Sequence, residues 1–380
     1  MTLSAVAGTP PAQADSRAPV RVMVVDDSVV IRGLVARWVD EEADLVTVAK
    51  CANGKIAVDS IEAARPDIVV LDIEMPVMDG MTALPELLKA QPRPHIIIAS
   101  TLTKRNAAIT LKALAGGASE CIPKPETNSG VTTSAEFRRE LISKIKGLGG
   151  LDKPVRSRPA AIAARASGQP ASAATSDFEL VPFNRGTPSL VAIGSSTGGP
   201  RALATVLSDI GSALSAVPVL ITQHMPPTFT EMLADNLGKT CGRRAKEAEH
   251  GEKPEAGVIY VAPGGKHLIV KRTANGVVME LDDRPPVNFT KPSVDVMFES
   301  IAAVYGGSVL SVMLTGMGHD GAAGAVLLRD AGGNVIAQDE ATSVVWGMPG
   351  AAAHTGKCSA VLPLGEIGAR VARLVQGVTS

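Results

Sequence analysis

From Val20 onward the chain alternates short runs of branched apolar residues with longer stretches in which apolar positions recur every three or four residues. That rhythm predicts strand and helix units on a parallel sheet, because strands buried on both faces read as continuous apolar runs and helices as one-sided stripes. Val22 to Val25, Ile68 to Leu71 and Ile96 to Ala99 are the first such strands, and Val29, Val30, Leu34, Val35, Trp38 and Val39 are expected on one face of the first helix. This module closes near Lys146. Residues 147–188 are rich in Gly, Ala, Ser and Pro without a sustained period, which predicts a linker that buries too little to order itself. Within it, Leu180 to Phe183 is the stretch expected to dock on the second domain.

After Ser189 the alternation resumes, with strands at Leu190 to Ile193, Val217 to Thr222 and Val309 to Leu314, and helices at Arg201 to Ser208, Phe229 to Leu237 and Ser293 to Tyr305. Between them, VIYVAPGGKHLIVKRTANGVVMELDD at 258–283 places Pro-Gly-Gly and Asn-Gly between β-rich runs, which predicts hairpins and a sheet mixed at one edge. The expected architecture is α/β: two doubly wound domains at 20–146 and 189–380, preceded by a flexible extension at 1–19.

Composition changes little in this picture. A chain of 380 residues supports two cores, and with aromatics at 3% these must be packed by Ala, Val, Leu and Gly. A net charge of -1 leaves no basic footprint for nucleic acid, so a protein or small neutral substrate is expected. Cys51, Cys121, Cys241 and Cys358 lie too far apart for a zinc or disulfide framework and read as buried reduced thiols. No apolar run approaches the ~20 residues that span a bilayer, and the start lacks a basic segment followed by a long apolar one, so a cytoplasmic protein is expected.

Ligands of parallel sheets collect beyond the carboxyl ends of the strands. Asp26 and Asp27 end the first strand, Asp72 the next, Ser100 and Thr101 the one after, and Lys124 closes a strand around Glu120 to Pro123. Carboxylates gathered at one sheet edge repel unless a hard cation sits among them, and Mg2+ takes such oxygen ligands. A phosphoryl group completes that chemistry. Asp72 can be the nucleophile of an aspartyl phosphate, with Lys124 and a Ser or Thr hydroxyl bonding the phosphoryl oxygens.

A second set lies in the C-terminal half. IGSSTGGP at 193–200 joins strand to helix through glycines that permit a sharp turn. It is neither the Lys-bearing phosphate loop nor the dinucleotide pattern, and its spacing misses the G-x-S-x-G elbow. Alone it suits either a nucleophile or a phosphate. His224 and Asp320 follow the next strand ends and can converge on the same edge. Singly, His224 reads as a structural histidine and Asp320 as a helix cap. With a serine of the turn they form a triad, which geometry defines rather than chain order.

The segments VDDS at 25–28, LDIEMPVMDG at 71–80 and PKP at 123–125 resemble the receiver domain of two-component response regulators, a flavodoxin-like fold. GSSTGGP, QHMPP and LTGMGHDGA resemble the catalytic domain of the CheB-type chemotaxis receptor glutamate methylesterases, and receiver, linker and esterase occur in that family's order. The first resemblance implies phosphate from a histidine kinase, Mg2+ held by Asp26, Asp27, Asp72 and the backbone carbonyl of Glu74, a switch hydroxyl at Ser100 or Thr101, and a cis Lys124–Pro125 peptide. The second implies Ser196, rather than Ser195, as nucleophile, His224 as base and Asp320 as its orienting partner, with no cofactor in the esterase site. Backbone amides near Thr197 and Met317 are the expected oxyanion donors. His319 stands where the family often has Asn, and no catalytic role is expected of it.

The implied activity is hydrolysis of glutamate methyl esters on chemoreceptors, with glutamine deamidation as a second outcome and a monomer recruited to membrane receptor arrays without inserting. The unphosphorylated receiver is expected to cover the esterase edge. A DNA-binding output is disfavoured because no basic recognition helix is present. A non-catalytic adaptor remains the other alternative.

Overall fold

The computed structural model describes residues 18–101, 103–124, 135–151 and 178–378. The N-terminal part forms β1 (Val20–Val25), α1 (Val29–Asp40), β2 (Leu45–Cys51), α2 (Gly54–Ala64), β3 (Ile68–Asp72), α3 (Gly80–Leu87), β4 (His95–Thr101), α4 (Lys104–Ala115), β5 (Glu120–Lys124) and α5 (Ala135–Leu148). Its five strands are parallel in the order β2-β1-β3-β4-β5. β2 was not anticipated: VTVAK alternates instead of running continuously apolar, because it is the edge strand and is only half-buried. Val29 and Val30, expected on the inward face of α1, are 73% and 60% exposed. They occupy the first turn of α1, and the inward face begins at Ile31 and continues through Val35, Ala36, Trp38 and Val39.

The C-terminal part contains β6 (Leu190–Ser195), α6 (Gly199–Ile210), β7 (Val219–Gln223), α7 (Phe229–Cys241), β8 (Arg244–Glu247), β9 (Val258–Val261), β10 (His267–Thr273), β11 (Gly276–Asp282), α8 (Val294–Tyr305), β12 (Val309–Met313), α9 (Ala322–Asp330), β13 (Asn334–Gln338), α10 (Met348–His354), β14 (Ala360–Leu362) and α11 (Leu364–Val375). Seven strands pair in the order β14-β13-β12-β6-β7-β9-β8. Every pairing in that sheet is parallel, which corrects the expectation of a mixed edge. The run VIYV is β9, buried between β7 and β8, and only β10 and β11 form a hairpin, as a separate two-stranded sheet. Pro-Gly-Gly therefore marks a departure from the sheet rather than a hairpin turn: a Cβ at Gly264 would lie 2.3 Å from the backbone of Pro226 and Pro227, so the chain there must pass against that loop.

Phe183 packs on the core beneath Arg370, whose guanidinium lies 4.7 Å from its ring centroid, and Val181 N donates to Cys358 O at 2.9 Å, so this stretch docks on the second sheet. Leu180 remains 47% exposed. Cys51, Cys121 and Cys358 are buried free thiols, whereas Cys241 is only half-buried. Burial pushes the Cys358 thiol up to about 12. No helix among the described residues is long and apolar enough to cross a membrane.

The two halves are in contact. α4 packs against α6 and α7, and Val345 and Met317 join the apolar cluster built by α1, α5 and the first sheet.

Candidate functional site

At the first sheet's carboxyl edge, Asp26, Asp27 and Asp72 bring carboxylate oxygens within 4.8 Å of one another. Asp26 and Asp72 are buried and Asp27 is exposed, so the cluster opens to solvent on one side. Lys124 Nζ lies 2.6 Å from Asp26 and 2.9 Å from Asp72. Burial raises the Asp72 carboxyl above its ordinary range, with Lys124 opposing the shift. For Lys124, burial favours the neutral amine, but Asp72 and Asp26 outweigh it and hold the ammonium. Three hard oxygen donors, two of them sheltered from water, suit a hydrated Mg2+.

The two candidate switch hydroxyls are engaged differently. Ser100 is buried and its hydroxyl lies 2.8 Å from that of Thr110 on α4, whereas Thr101 Oγ1 accepts from Asn106 Nδ2 at 2.6 Å. Ser100 is thus tied to a helix that packs on α6 and α7 of the C-terminal half. The Lys124–Pro125 peptide lies outside the described residues, and Glu74 is exposed on the loop after β3.

On the second sheet, β12, β6 and β7 are adjacent, and Ser196, His224 and Asp320 all follow their carboxyl ends. His224 N donates to Ser195 O at 3.1 Å and Ser196 N to Thr315 O at 3.0 Å, so the three strand ends are stitched together before they diverge. Gly198, at φ 78°, reverses the chain into α6, and a Cβ on Gly199 would fall 1.9 Å from Gln223 Oε1. These two constraints explain the paired glycines of the turn. Ser196 therefore sits just before the amino end of α6.

Ser195 and Ser196 separate cleanly. Ser195 is fully buried and donates its hydroxyl to Gln223 Oε1 at 2.7 Å, while Ser196 keeps 8% of its surface exposed and its hydroxyl bonds no group among the described residues. Among the described residues no hydrogen bond joins Ser196 Oγ to His224, a contact that commonly tightens only with substrate bound. His224 Nε2 lies 2.8 Å from Asp320 Oδ2. Asp320 also receives Asn288 Nδ2 at 2.9 Å, Ser293 Oγ at 2.7 Å and Val294 N at 2.6 Å.

This corrects the reading of Asp320 as a cap of its own helix. The N-cap of α9 is Gly321, without a side-chain bond, and the Asp320 carboxylate instead meets the amino end of α8. Burial opposes its ionisation, but His224, Asn288 and Ser293 outweigh burial and hold it well below the usual carboxylate range. An ionised Asp320 requires a proton on His224 Nε2. Nδ1 then keeps the lone pair that can take a proton from Ser196.

Gln223 was not anticipated. Its carbonyl accepts from Ser195, and its amide donates to Ser196 O at 2.9 Å and His224 O at 3.3 Å, bracing the serine turn against the histidine strand. Its position between Thr222 and His224 was the available signal. Asn288, Thr290 and Ser293 were also missed, because they reach Asp320 from a loop about 30 residues earlier in the chain, as their hydrogen bonds record. Ser293 N in turn donates to the buried His267 Nδ1 at 3.1 Å. Burial lowers the His267 basicity, consistent with a neutral ring serving as acceptor.

The Thr197 and Met317 backbone amides donate to no acceptor among the described residues, whereas their side chains face the first sheet. Thr197 Oγ1 donates to Glu120 Oε2 at 2.6 Å, and Met317 Sδ receives Ser143 Oγ at 3.9 Å. Glu120 is also paired with Lys144 at 3.1 Å. His319 is exposed, and among the described residues its backbone carbonyl alone is used, accepting from Ala322 N.

Comparison with known proteins agrees with both halves. Residues 191–371 match the model of the CheB methylesterase family and residues 22–136 that of the response regulator receiver domain. A protein-glutamate methylesterase/protein-glutamine glutaminase of Rhodopseudomonas palustris (strain BisB5) is 50% identical over 98% of either chain. The protein of the same description from Nitrobacter hamburgensis is 50% identical over 97% of either chain. The crystal structure of the Thermotoga maritima CheB methylesterase catalytic domain is 40% identical, covering 50% of this chain and 100% of that one with a TM-score of 0.48. On the near-full-length identity of the first two, the chain belongs to the CheB-type family of protein-glutamate methylesterase/protein-glutamine glutaminases, with a receiver domain ahead of the hydrolase.

Proposed function

We propose that this protein hydrolyses glutamate methyl esters on chemoreceptors, releasing methanol, and deamidates receptor glutamines, releasing ammonia, under control of phosphorylation at Asp72. The observation that carries the reading is the His224–Asp320 pair at 2.8 Å, beside a serine held at the adjacent strand end. Ser196 Oγ attacks the side-chain carbonyl while His224 Nδ1 takes its proton, and Asp320 stabilises the imidazolium. The backbone amides of Thr197 and Met317 receive the oxyanion. Collapse returns the proton to the departing methanol or ammonia, and water then cleaves the glutamyl-serine ester by the same route.

Asp26, Asp27 and Asp72, with the Glu74 carbonyl, would hold Mg2+, whose chemistry is to screen the phosphoryl charge. Asp72 supplies the attacking oxygen and Lys124 binds a phosphoryl oxygen. Ser100 is the switch hydroxyl we favour, because its bond to Thr110 links the pocket to α4 and so to the covering surface. Control follows from that covering: Glu120, backed by Lys144, holds Thr197 beside Ser196, Ser143 reaches Met317, and a receiver seated there excludes a large substrate. Phosphorylation shifts the balance toward the uncovered form.

We assign the receiver to 20–146, the linker to 147–188 and the catalytic domain to 189–380. The phosphodonor is a chemotaxis histidine kinase, and the protein is a cytoplasmic monomer that acts on membrane receptor arrays without inserting and without nucleic acid. Methanol release from methylated receptors, with and without a phosphodonor, tests the reading. Ser196→Ala is expected to lose about 10^4- to 10^6-fold in turnover. Near-full activity in that variant refutes the assignment.

A further inference from the structure

Two observations meet at the turn that supports Asp320. Val287 and Thr290 exchange backbone hydrogen bonds of 3.1 and 2.9 Å, which makes Asn288 and Phe289 the two central residues. Both are left-handed, with φ of 51° and 63°. A hairpin turn of this kind needs positive φ at both positions and favours Asn followed by Gly. Asn288 suits it and uses its amide to bridge Asp295 and Asp320. Phe289 does not suit it: a bulky side chain is strained at positive φ, and the residue is 90% exposed. Folding of the catalytic domain relieves neither feature. The one described group over the ring is the Arg139 guanidinium of α5, 5.9 Å from its centroid.

Backbone strain and exposed apolar surface at one residue, beside the charged core of a catalytic centre, indicate a binding role. We propose that Phe289 is a specificity-determining contact that packs against apolar side chains flanking the modified glutamate in the protein substrate, an inference that rests on the methylesterase reading of this site. Asn288 and Thr290 tie the turn to Asp320, so the ring stands at a fixed place relative to the triad. It therefore gauges the polypeptide around the ester rather than the ester itself. Arg139 occupies the same ring in the covered form, so receiver and substrate compete for it.

The test uses the full chain with Mg2+ and acetyl phosphate, on methylated receptors in membranes and on a blocked glutamate γ-methyl ester. Phe289→Gly removes the ring and suits the turn, so its Tm is expected to be no lower than that of the wild type. Its kcat/KM on receptor, relative to the small ester, is expected to fall about tenfold, through KM. Phe289→Leu is expected to recover most of that loss. An unchanged ratio, a loss carried by kcat alone, a Leu variant no better than Gly, or an equal loss in Arg139→Ala overturns the proposal. If the wild type releases methanol from receptors and the ratio is unchanged, this inference alone fails; if the wild type releases none, the methylesterase reading fails and takes this with it.

Discussion

Thr197 donates its hydroxyl hydrogen to the Glu120 carboxylate at 2.6 Å, across the boundary between the two sheets and one residue from Ser196. Thr197→Val keeps the β-branched shape and the backbone amide but removes that donor. A hydrogen bond to a charged group contributes about 1.5–3 kcal/mol. Glu120 keeps Lys144 at 3.1 Å, so its anion is not stranded and the lower part of the range applies, about 1.5–2 kcal/mol. Burial disfavours the Lys144 ammonium, but Glu120 and then Glu140 outweigh it and raise its basicity, so the partner stays charged. At about 1.4 kcal/mol per tenfold, the balance between covered and uncovered forms shifts by roughly 10- to 30-fold. Methanol release without phosphodonor is expected to rise by that factor if the covered form dominates, and the gain is expected to vanish once Asp72 is phosphorylated. Combining Thr197→Val with Glu120→Ala separates the bond from the damage that Glu120→Ala does to Lys144, since only the shared bond appears as coupling. An unphosphorylated rate unchanged in Thr197→Val, or full additivity in the double variant, refutes the reasoning.

Three further outcomes are expected from the same geometry. Gln223→Leu is expected to lower kcat by about 10²-fold with little change in KM, because it frees the serine turn from the histidine strand, whereas Ser195→Ala removes one of the three bonds and costs less than about tenfold; equal losses contradict the bracing role. Asp320 is held low in the fold, so its stabilising contribution is complete above the ordinary carboxyl range and is lost as pH falls through the lowered folded value. Urea unfolding of wild type and Asp320→Asn is therefore expected to show a gap at pH 7 that narrows below about pH 4, and a pH-independent gap counts against this. In EDTA, Asp72→Asn is expected to unfold about 2–4 °C higher than wild type, because burial raises the Asp72 carboxyl and keeping it ionised near neutral pH is unfavourable. Adding Mg2+ reverses the order by binding the wild-type carboxylates, and no Mg2+ effect on the wild-type Tm argues against the site.

The parallel α/β character of both halves, and the polar residues that close their strands, were legible in the amino-acid sequence. Buried strands leave continuous apolar runs, and their ends are local in the chain, so Asp26, Asp72, Lys124, His224, Asp320 and the serine pair at 195–196 stood out as candidates, with Ser196 preferred only by resemblance to a family. Edges and pairings were another matter. β2 alternates like an exposed strand and escaped notice, and β9 looked like half a hairpin because a short apolar run does not state its partner. The tertiary structure was needed to show that the Ser195 hydroxyl is spent on Gln223 while that of Ser196 bonds no group among the described residues, since a one-residue difference reverses the direction of a side chain. It alone placed Asp320 at the amino end of α8, and it alone set Glu120 against Thr197, residues 77 apart whose contact exists because the two sheets dock. Sequence pattern records what each segment buries; which segments meet depends on packing, and this protein's proposed control of Ser196 lies in that packing.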